Sequence, residues 1–366
     1  MERLKKPTFL HSPKDDFFRK LSKEVKENIL VDTSVQRKSI YKALFLLALF
    51  LFFYSCILFF GNTIRYLYLF YILMGISMIV IFVNSFHDAA HGAVFFKKKH
   101  NRWFCYTLEL FGSNSAVWIK RHTLLHHPYP NIQNWDCDIK QSDAVRLFPN
   151  SKWYSFHKYQ HIYMWFVYPF YTLIWLFIRD FKDFFGIKDN YLKRLYTIPR
   201  VEYVRLFVAK AFNLFYMLMV PYWVLNHSFL TIFSAWIVMH LIASVVGVVA
   251  LISTHVDESA VFPIPDEEGN MQTSWLEHQL SVTKDFSAGN TVADFLYGGF
   301  THHTAHHLFP TITHTYYPQI TPLIRKYANE NNLPYTCYPV LHAIRSHFRL
   351  LKHSGASENI IRTGEL

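Results

Sequence analysis

The chain has 366 residues, 51% of them hydrophobic and 18% aromatic, and 37 basic against 26 acidic side chains give it a formal charge of +11. A soluble domain of this length spreads its charge along the sequence; here long stretches carry none, which argues against a soluble core and for an integral membrane protein. Four scattered cysteines with no CxxC pair argue against a zinc or disulfide framework and read as free, reduced thiols, while 21 histidines are the compositional outlier.

Residues 1–40 hold ten of the basic side chains and read as a basic cytoplasmic leader, because positive charge flanking a first span stays on the inner side. Nothing there resembles a signal peptide. Phe17, Phe18, Leu21, Val25 and Ile29 recur at helical spacing between Lys and Arg, a pattern that fits a helix on the membrane surface and a helix packed on the protein body equally well. Ala43 to Ile64 and Tyr66 to Phe86 contain no Asp, Glu, Lys or Arg. Each is long enough to cross a bilayer, which takes about 20 apolar residues. Spans are therefore expected at about 43–64 and 66–86, with a turn at Gly61-Asn62. A polar segment of more than a hundred residues follows. Within it Tyr159 to Ile178 is uncharged but contains Pro169, and the reading favoured is a re-entrant or interfacial helix. Ala211 to Val256 is again free of charge and supplies two spans, about 207–226 and 229–252, turning at Asn226-His227-Ser228. Residues 41–345 form one membrane domain on this reading, and 346–366 a flexible C-terminal tail.

The histidines fall in three clusters. His87-Asp88-Ala89-Ala90-His91 follows the second span, His122-Thr-Leu-Leu-His126-His127 lies in the polar segment, and His303-Thr-Ala-His306-His307 lies near the end. Residues three or four apart share a helix face, so each cluster can aim two imidazoles at one point. Adjacent histidines diverge by about 100° and so serve different targets, which suits two metal ions better than one. Imidazole suits zinc, copper, iron and nickel. His255, just after the fourth span, is a further candidate, as deep as His87 after the second. His240 lies within a span, too far away to join them, and is expected to make a polar contact between helices. His302 should point away from the 303/306/307 face. The expected architecture is thus an all-α integral membrane protein, with four transmembrane helices, interfacial helices and a cytoplasmic histidine-rich di-metal cap.

These motifs, their order and the hydrophobic pairs between them resemble the membrane fatty acid desaturase and hydroxylase superfamily over roughly residues 40–345. The surrounding words HHPYPN, WLEHQL, YGGF and HLFPTITHTYYPQI look like the bacterial acyl desaturases. The resemblance implies a four-helix membrane fold whose cytoplasmic cap holds a non-haem di-iron centre. The family's ligand positions fall on His87, His91, His122, His126, His127, His303, His306 and His307, and its extra histidine after the last span on His255. It implies two irons, O2 as co-substrate, and a double bond introduced into a long acyl chain carried by coenzyme A, acyl carrier protein or phospholipid. Many relatives have Gln and Glu where this chain has His303 and Ala305, which leaves the position of the double bond open. The leader is short and lacks an HPGG motif, so electrons are expected from a separate donor such as a ferredoxin or a cytochrome b-type protein. The setting implied is a bacterial plasma membrane with both termini and the histidine motifs cytoplasmic; no nucleic-acid partner is expected.

Further roles stay open on sequence alone. Asp88, Asp136 and Asp138 are available to orient imidazoles, or to cap helices and line loops. Trp118, Trp135, Trp153 and the aromatic run 163–177 suit either an acyl tunnel or membrane contact. Lys97, Lys98, Lys99, Lys120 and Arg121 suit an anionic headgroup or plain positive-inside bias. The rival function is a hydroxylase or other oxygenase on the same scaffold. A membrane haem carrier would want histidine pairs inside the spans, and a metal transporter would want polar residues through them.

Overall fold

A computed structural model describes residues 5–12, 15–140, 142–148, 150–186 and 192–356. The chain is mostly helical, with two small parallel sheets of two strands each among the described residues. In chain order the elements used below are β1 (Thr8–Leu10), α1 (Asp15–Glu24), α2 (Thr33–Phe60), α3 (Ile64–Ala90), α4 (Lys98–Cys105), α5 (Ser115–Arg121), α6 (Ser155–Phe185), α7 (Arg200–Val224) and α8 (Phe229–Ile252). They continue with β2 (Asn270–Ser274), α9 (Trp275–Val282), β3 (Asp285–Phe286), α10 (Thr291–Tyr297), α11 (His303–Leu308), α12 (Tyr317–Glu330), β4 (Cys337–Tyr338) and α13 (Val340–Ala356).

Five of these helices, α2, α3, α6, α7 and α8, are long and apolar enough to cross a membrane. Four correspond to the expected spans. The fifth, α6, contains the stretch read from sequence as re-entrant. It is an interrupted helix, tightening to 3₁₀ geometry over Tyr168–Phe170 around Pro169 and widening to a π-turn over Trp175–Arg179. Proline removes a backbone donor and crowds the preceding turn, which accounts for the first break.

The chain divides into two compact units. One comprises residues 38–121 and 165–249 and holds most of the apolar helices. Helices α3 and α8 approach closely at Gly75, where a Cβ would stand 2.6 Å from Met239 Cγ. Tyrosines cross-link the bundle: Tyr71 Oη donates to the Met217 carbonyl at 2.5 Å and Tyr54 Oη to that of Tyr216 at 2.8 Å. An apolar surround offers such hydroxyls no water, so each is tied to another helix. The two expected turns bond to each other, Asn226 N–H donating to Asn62 Oδ1 and His227 Nε2 to the Gly61 carbonyl. Lys210 is buried, donating to Asp180 Oδ2 at 2.8 Å and to the carbonyls of Gly112 and Leu176.

The other unit comprises residues 1–37, 122–164 and 250–366. Its apolar core gathers Phe17, Leu21, Val25 and Ile29 with Ile320, Ile324, Ala328 and Leu333. Helix α1 is therefore packed on the protein body, and Phe18 packs edge-on to Trp275 and tilted against Phe309. Strand β1 pairs in parallel with β2, Thr8 opposite Asn270 and Leu10 opposite Ser274, so part of the leader is built into the fold. A Ser274/Glu277 capping box starts α9 directly after β2. β3 pairs with β4 through Asp285–Cys337 and Phe286–Tyr338. Residues 346–356, expected as flexible tail, form the end of α13. Arg146 Nη1 donates to the Ser354 carbonyl and Gln160 Nε2 to Ser354 Oγ, both at 2.8 Å, and Trp153 Nε1 donates to the Gly355 carbonyl. These long-range bonds cannot be read from a local run of small residues. Residues 357–366 of the expected tail lie outside the described residues.

Candidate metal centre

Seven of the nine candidate histidines lie in the unit of residues 1–37, 122–164 and 250–366, and all seven are buried. Local helix geometry decides which ones meet. The second cluster is not α-helical: His122–His126 is a π-turn, closed by His127 N–H donating to the His122 carbonyl. The wider turn brings residues five apart onto one face, and His122 Nε2 stands 3.0 Å from His127 Nε2. The third cluster is α-helical, and there His303 and His307, four apart, bring their Nε2 atoms to 3.2 Å. The remaining member of each cluster turns to the other set. His306 Nε2 lies 3.0 Å from His127 Nε2, and the His126 ring lies 4.9 Å from that of His255. His255 Nε2 is 2.7 Å from His303 Nε2. Two groups result: His122, His127 and His306, and His126, His255, His303 and His307, each with its ligand atoms within 4.8 Å of one another. Each adjacent pair, 126/127 and 306/307, is divided between them.

The outer nitrogens fix the tautomers. His122 Nδ1 meets Asp138 Oδ2 at 2.8 Å and His126 Nδ1 meets Asp136 Oδ1 at 3.0 Å. His255 Nδ1 meets the Val282 carbonyl at 2.9 Å. His307 Nδ1 meets Gln279 Oε1 at 3.0 Å, and His306 Nδ1 meets Tyr317 Oη at 3.4 Å. The Tyr317 hydroxyl proton goes to the Phe309 carbonyl, so its oxygen accepts from His306. Each outer partner is thus an acceptor, each Nδ1 carries the proton, and each Nε2 presents a lone pair. Burial first, then the neighbouring His126, brings His255 down to about 3. Burial first, then His127, His303, His255 and His126, puts His307 well below its ordinary value. Both are neutral, the form that ligates metal. Where both nitrogens of a pair are deprotonated, lone pairs facing each other at 2.7–3.2 Å repel unless they share a cation. An ion about 2.1 Å from each nitrogen holds right-angle neighbours about 3.0 Å apart, so the donor set suits a first-row metal.

His87 and His91 lie in the other unit at the end of α3, with ring centroids 5.4 Å apart; His87 is fully buried and packs edge-on to Trp118 at 6.1 Å. Asp88 is also buried. His240 bonds Thr172 Oγ1 at 2.9 Å, the interhelical contact expected of it. His302 points elsewhere, to Thr321 Oγ1 and Asp294. Trp135 is buried against Tyr129. The five basic residues separate into two kinds. Lys97, Lys98, Lys99 and Lys120 are exposed, whereas Arg121 is buried, 3.4 Å from Asp183 and stacked 4.6 Å over Trp175. Sequence reasoning missed three residues that organise this region. Gln279 and Tyr317 meet ligand candidates directly. Asn131 Nδ2 donates to the His255 carbonyl and its main-chain N–H to Asp136 Oδ2. Asn131 and Gln279 lie within HHPYPN and WLEHQL, and Tyr317 within the run after the third cluster, but nothing in those words assigns a role.

The family model described as fatty acid desaturase matches residues 63–339. An sn-1 linoleoyl-lipid 6-desaturase of Arthrospira platensis is 30% identical over 73% of this chain and 72% of its own length. One of the same name from Synechocystis is 29% identical over 77% and 79%. An acyl-lipid (8-3)-desaturase of Physcomitrium patens is 28% identical over 98% of this chain and 76% of its own. The match spans α3 to β4 and encloses all three histidine clusters and His255, and with it the chain belongs to the fatty acid desaturase family.

Proposed function

We propose that this membrane-bound desaturase removes two hydrogens from adjacent methylenes of a long, lipid-linked acyl chain at a non-haem di-iron centre. The observation that carries the reading is the convergence of seven buried Nε2 atoms in two groups with five outer nitrogens held protonated. His122, His127 and His306 would hold one iron, and His126, His255, His303 and His307 the other. His87 and His91 enter the reading by the family's motif. The lipid-linked substrate follows the names of the relatives.

When bound, the iron pair, with O2 and two electrons from a separate donor protein, supplies the oxidant for an unactivated C–H bond. The overall balance is –CH2–CH2– plus O2, two electrons and two protons giving –CH=CH– and two waters. The protein's part is positional. Asp136, Asp138, Gln279, Tyr317 and the Val282 carbonyl hold the imidazoles in one tautomer and orientation. Burial of the whole set keeps bulk water from the reacting carbons. Four of the five apolar helices cross the membrane on this reading. Helix α6 lies in the interface, because its broken middle and its buried Arg179, Asp180 and Asp183 suit a partly wet position. Both termini are cytoplasmic, and the host membrane is a bacterial plasma membrane.

The test is the fatty acid profile, by gas chromatography and mass spectrometry, of a host expressing the protein with a ferredoxin or cytochrome b-type donor. A new double bond that vanishes in a His306→Ala/His307→Ala variant expressed to the same level supports the reading and gives the bond position. A hydroxylated product moves it to the oxygenase sibling. An unchanged profile together with iron-free purified protein overturns it.

A further inference from the structure

Gln279 sits on α9, fully buried, and uses both ends of its amide. Its Nε2 donates to the His127 main-chain carbonyl at 3.0 Å, and its Oε1 meets His307 Nδ1 at 3.0 Å. The orientation is forced. A carbonyl only accepts, so the NH2 end must face His127, and the oxygen is left for His307. His307 Nδ1 must then carry a proton, which leaves its Nε2 lone pair directed toward His303. The main chain of Gln279 is held in turn, its carbonyl accepting from Thr283 Oγ1 at 2.6 Å and from the Thr283 N–H.

The other outer partners act differently. Asp136 and Asp138 come from the segment that carries the second cluster and hold one imidazole each. Tyr317 bonds His306 and the Phe309 carbonyl, both in the third-cluster region. Gln279 instead joins His127, of the first nitrogen group, to His307, of the second. Its two bonds are neutral, so it adds no charge to either group, and an amide is the only side-chain chemistry that can donate at one end and accept at the other without titrating.

We propose that Gln279 is a positioning residue that couples the two nitrogen groups, so that a metal held by one stabilises the geometry of the other. The inference rests on the di-metal reading above. Hydrogen-bond partners of metal-bound imidazoles are worth about 10–100-fold in metal affinity. A residue that serves both groups should show that loss at both positions, and should also weaken the dependence of one on the other.

The test titrates Fe(II), and separately Co(II), into purified full-length protein stripped with chelator. Stoichiometry and the Co(II) visible spectrum are followed, with no turnover needed. The unmodified chain is expected to bind two ions, the second at least as tightly as the first. Gln279→Leu is expected to lose about 10–100-fold in affinity at both positions, with the cooperativity gone. Gln279→Glu keeps an acceptor for His307 and gives up the donor to His127. It is expected to retain one position near unmodified affinity and weaken the other. Thermal melting of the metal-free proteins separates this role from a general packing defect, because coupling predicts a small change there beside a large change in binding. Two ions bound by Gln279→Leu with unchanged affinity, cooperativity and spectrum would overturn the clamp and leave the metal centre standing. Equal losses in the Leu and Glu variants, matched by equal losses of metal-free stability, would also overturn it. No binding by the unmodified chain would sink the di-metal reading, and the clamp with it.

Discussion

Asp136 ties His126 of the second cluster to the loop that follows it. Its Oδ1 accepts from His126 Nδ1 and from the main-chain N–H groups of Asp138 and Ile139, and its Oδ2 accepts from Asn131 N–H at 2.8 Å. Asp138 Oδ2 meets His122 Nδ1 at 2.8 Å, and its side chain is 19% exposed. Asp136→Asn is therefore expected to lower metal affinity by about 100-fold and Asp138→Asn by nearer 10-fold, measured by competition against a chromophoric chelator. Equal effects would show that the extra bonds of Asp136 do not matter to the site. The histidine clusters stood out in the sequence because clustered imidazole is rare, whereas the two aspartates had two open readings there, orienting an imidazole or capping a helix and lining a loop. Gln279 and Tyr317 did not stand out, since a buried amide or phenol leaves no periodic signal and its partners lie in other segments. The π-turn was also invisible. The spacing of HTLLHH put His122 and His126 on one face, whereas the wider turn pairs His122 with His127 and hands His126 to the other group.

At the scale of elements, the apolar runs gave the helices and the charges inside them gave the surprises. Lys210 of α7 and Asp180 of α6 form a buried pair, each side chain less than a tenth exposed. Removing one partner of such a pair costs about 3–5 kcal/mol, because the other charge stays behind without water. Lys210→Met should show a loss of that order in denaturant unfolding, and Lys210→Met/Asp180→Leu should recover most of it. Failure of the double variant to recover would mean the bonds to the Gly112 and Leu176 carbonyls, not the ion pair, hold the helices. Helix α13 supplies a pH dependence. His347 is buried and its Nδ1 donates to the Val256 carbonyl at 2.6 Å; burial brings its pKa down to about 4. An unfolded chain binds that proton near pH 6.5, the folded one not until about 4. The stability from keeping His347 neutral is thus complete above about pH 6.5 and lost as pH falls toward 4. Melting temperature should fall less steeply between pH 6.5 and 5 in His347→Gln than in the unmodified protein. Parallel slopes would assign the acid sensitivity to other groups.

At the scale of the whole molecule, residues of distant sequence are gathered into each unit, and only part of that was readable beforehand. The membrane character was, because charge-free runs of that length have few other uses. The incorporation of the leader was not: α1 had two acceptable readings, and β1 is too short for alternation to mark it. Phe9, at the centre of β1, packs 5.0 Å from the His278 ring and 6.3 Å from Tyr129. Deleting residues 1–11 should therefore speed amide hydrogen exchange over 270–282 while leaving 64–86 unchanged, as read by mass spectrometry. Unchanged exchange at 270–282 would make the strand an ornament. The pairing of β1 with β2 also imposes an order on biosynthesis. Thr8–Leu10 leaves the ribosome long before its partner Asn270–Ser274, which emerges only after the five apolar helices have been made. His303, His306 and His307 follow later still. A nascent chain arrested before β2 carries its apolar helices but has neither the partner for β1 nor the third histidine cluster. On the proposed di-metal reading, loading of the centre is thus a closing event that waits until the third cluster has emerged.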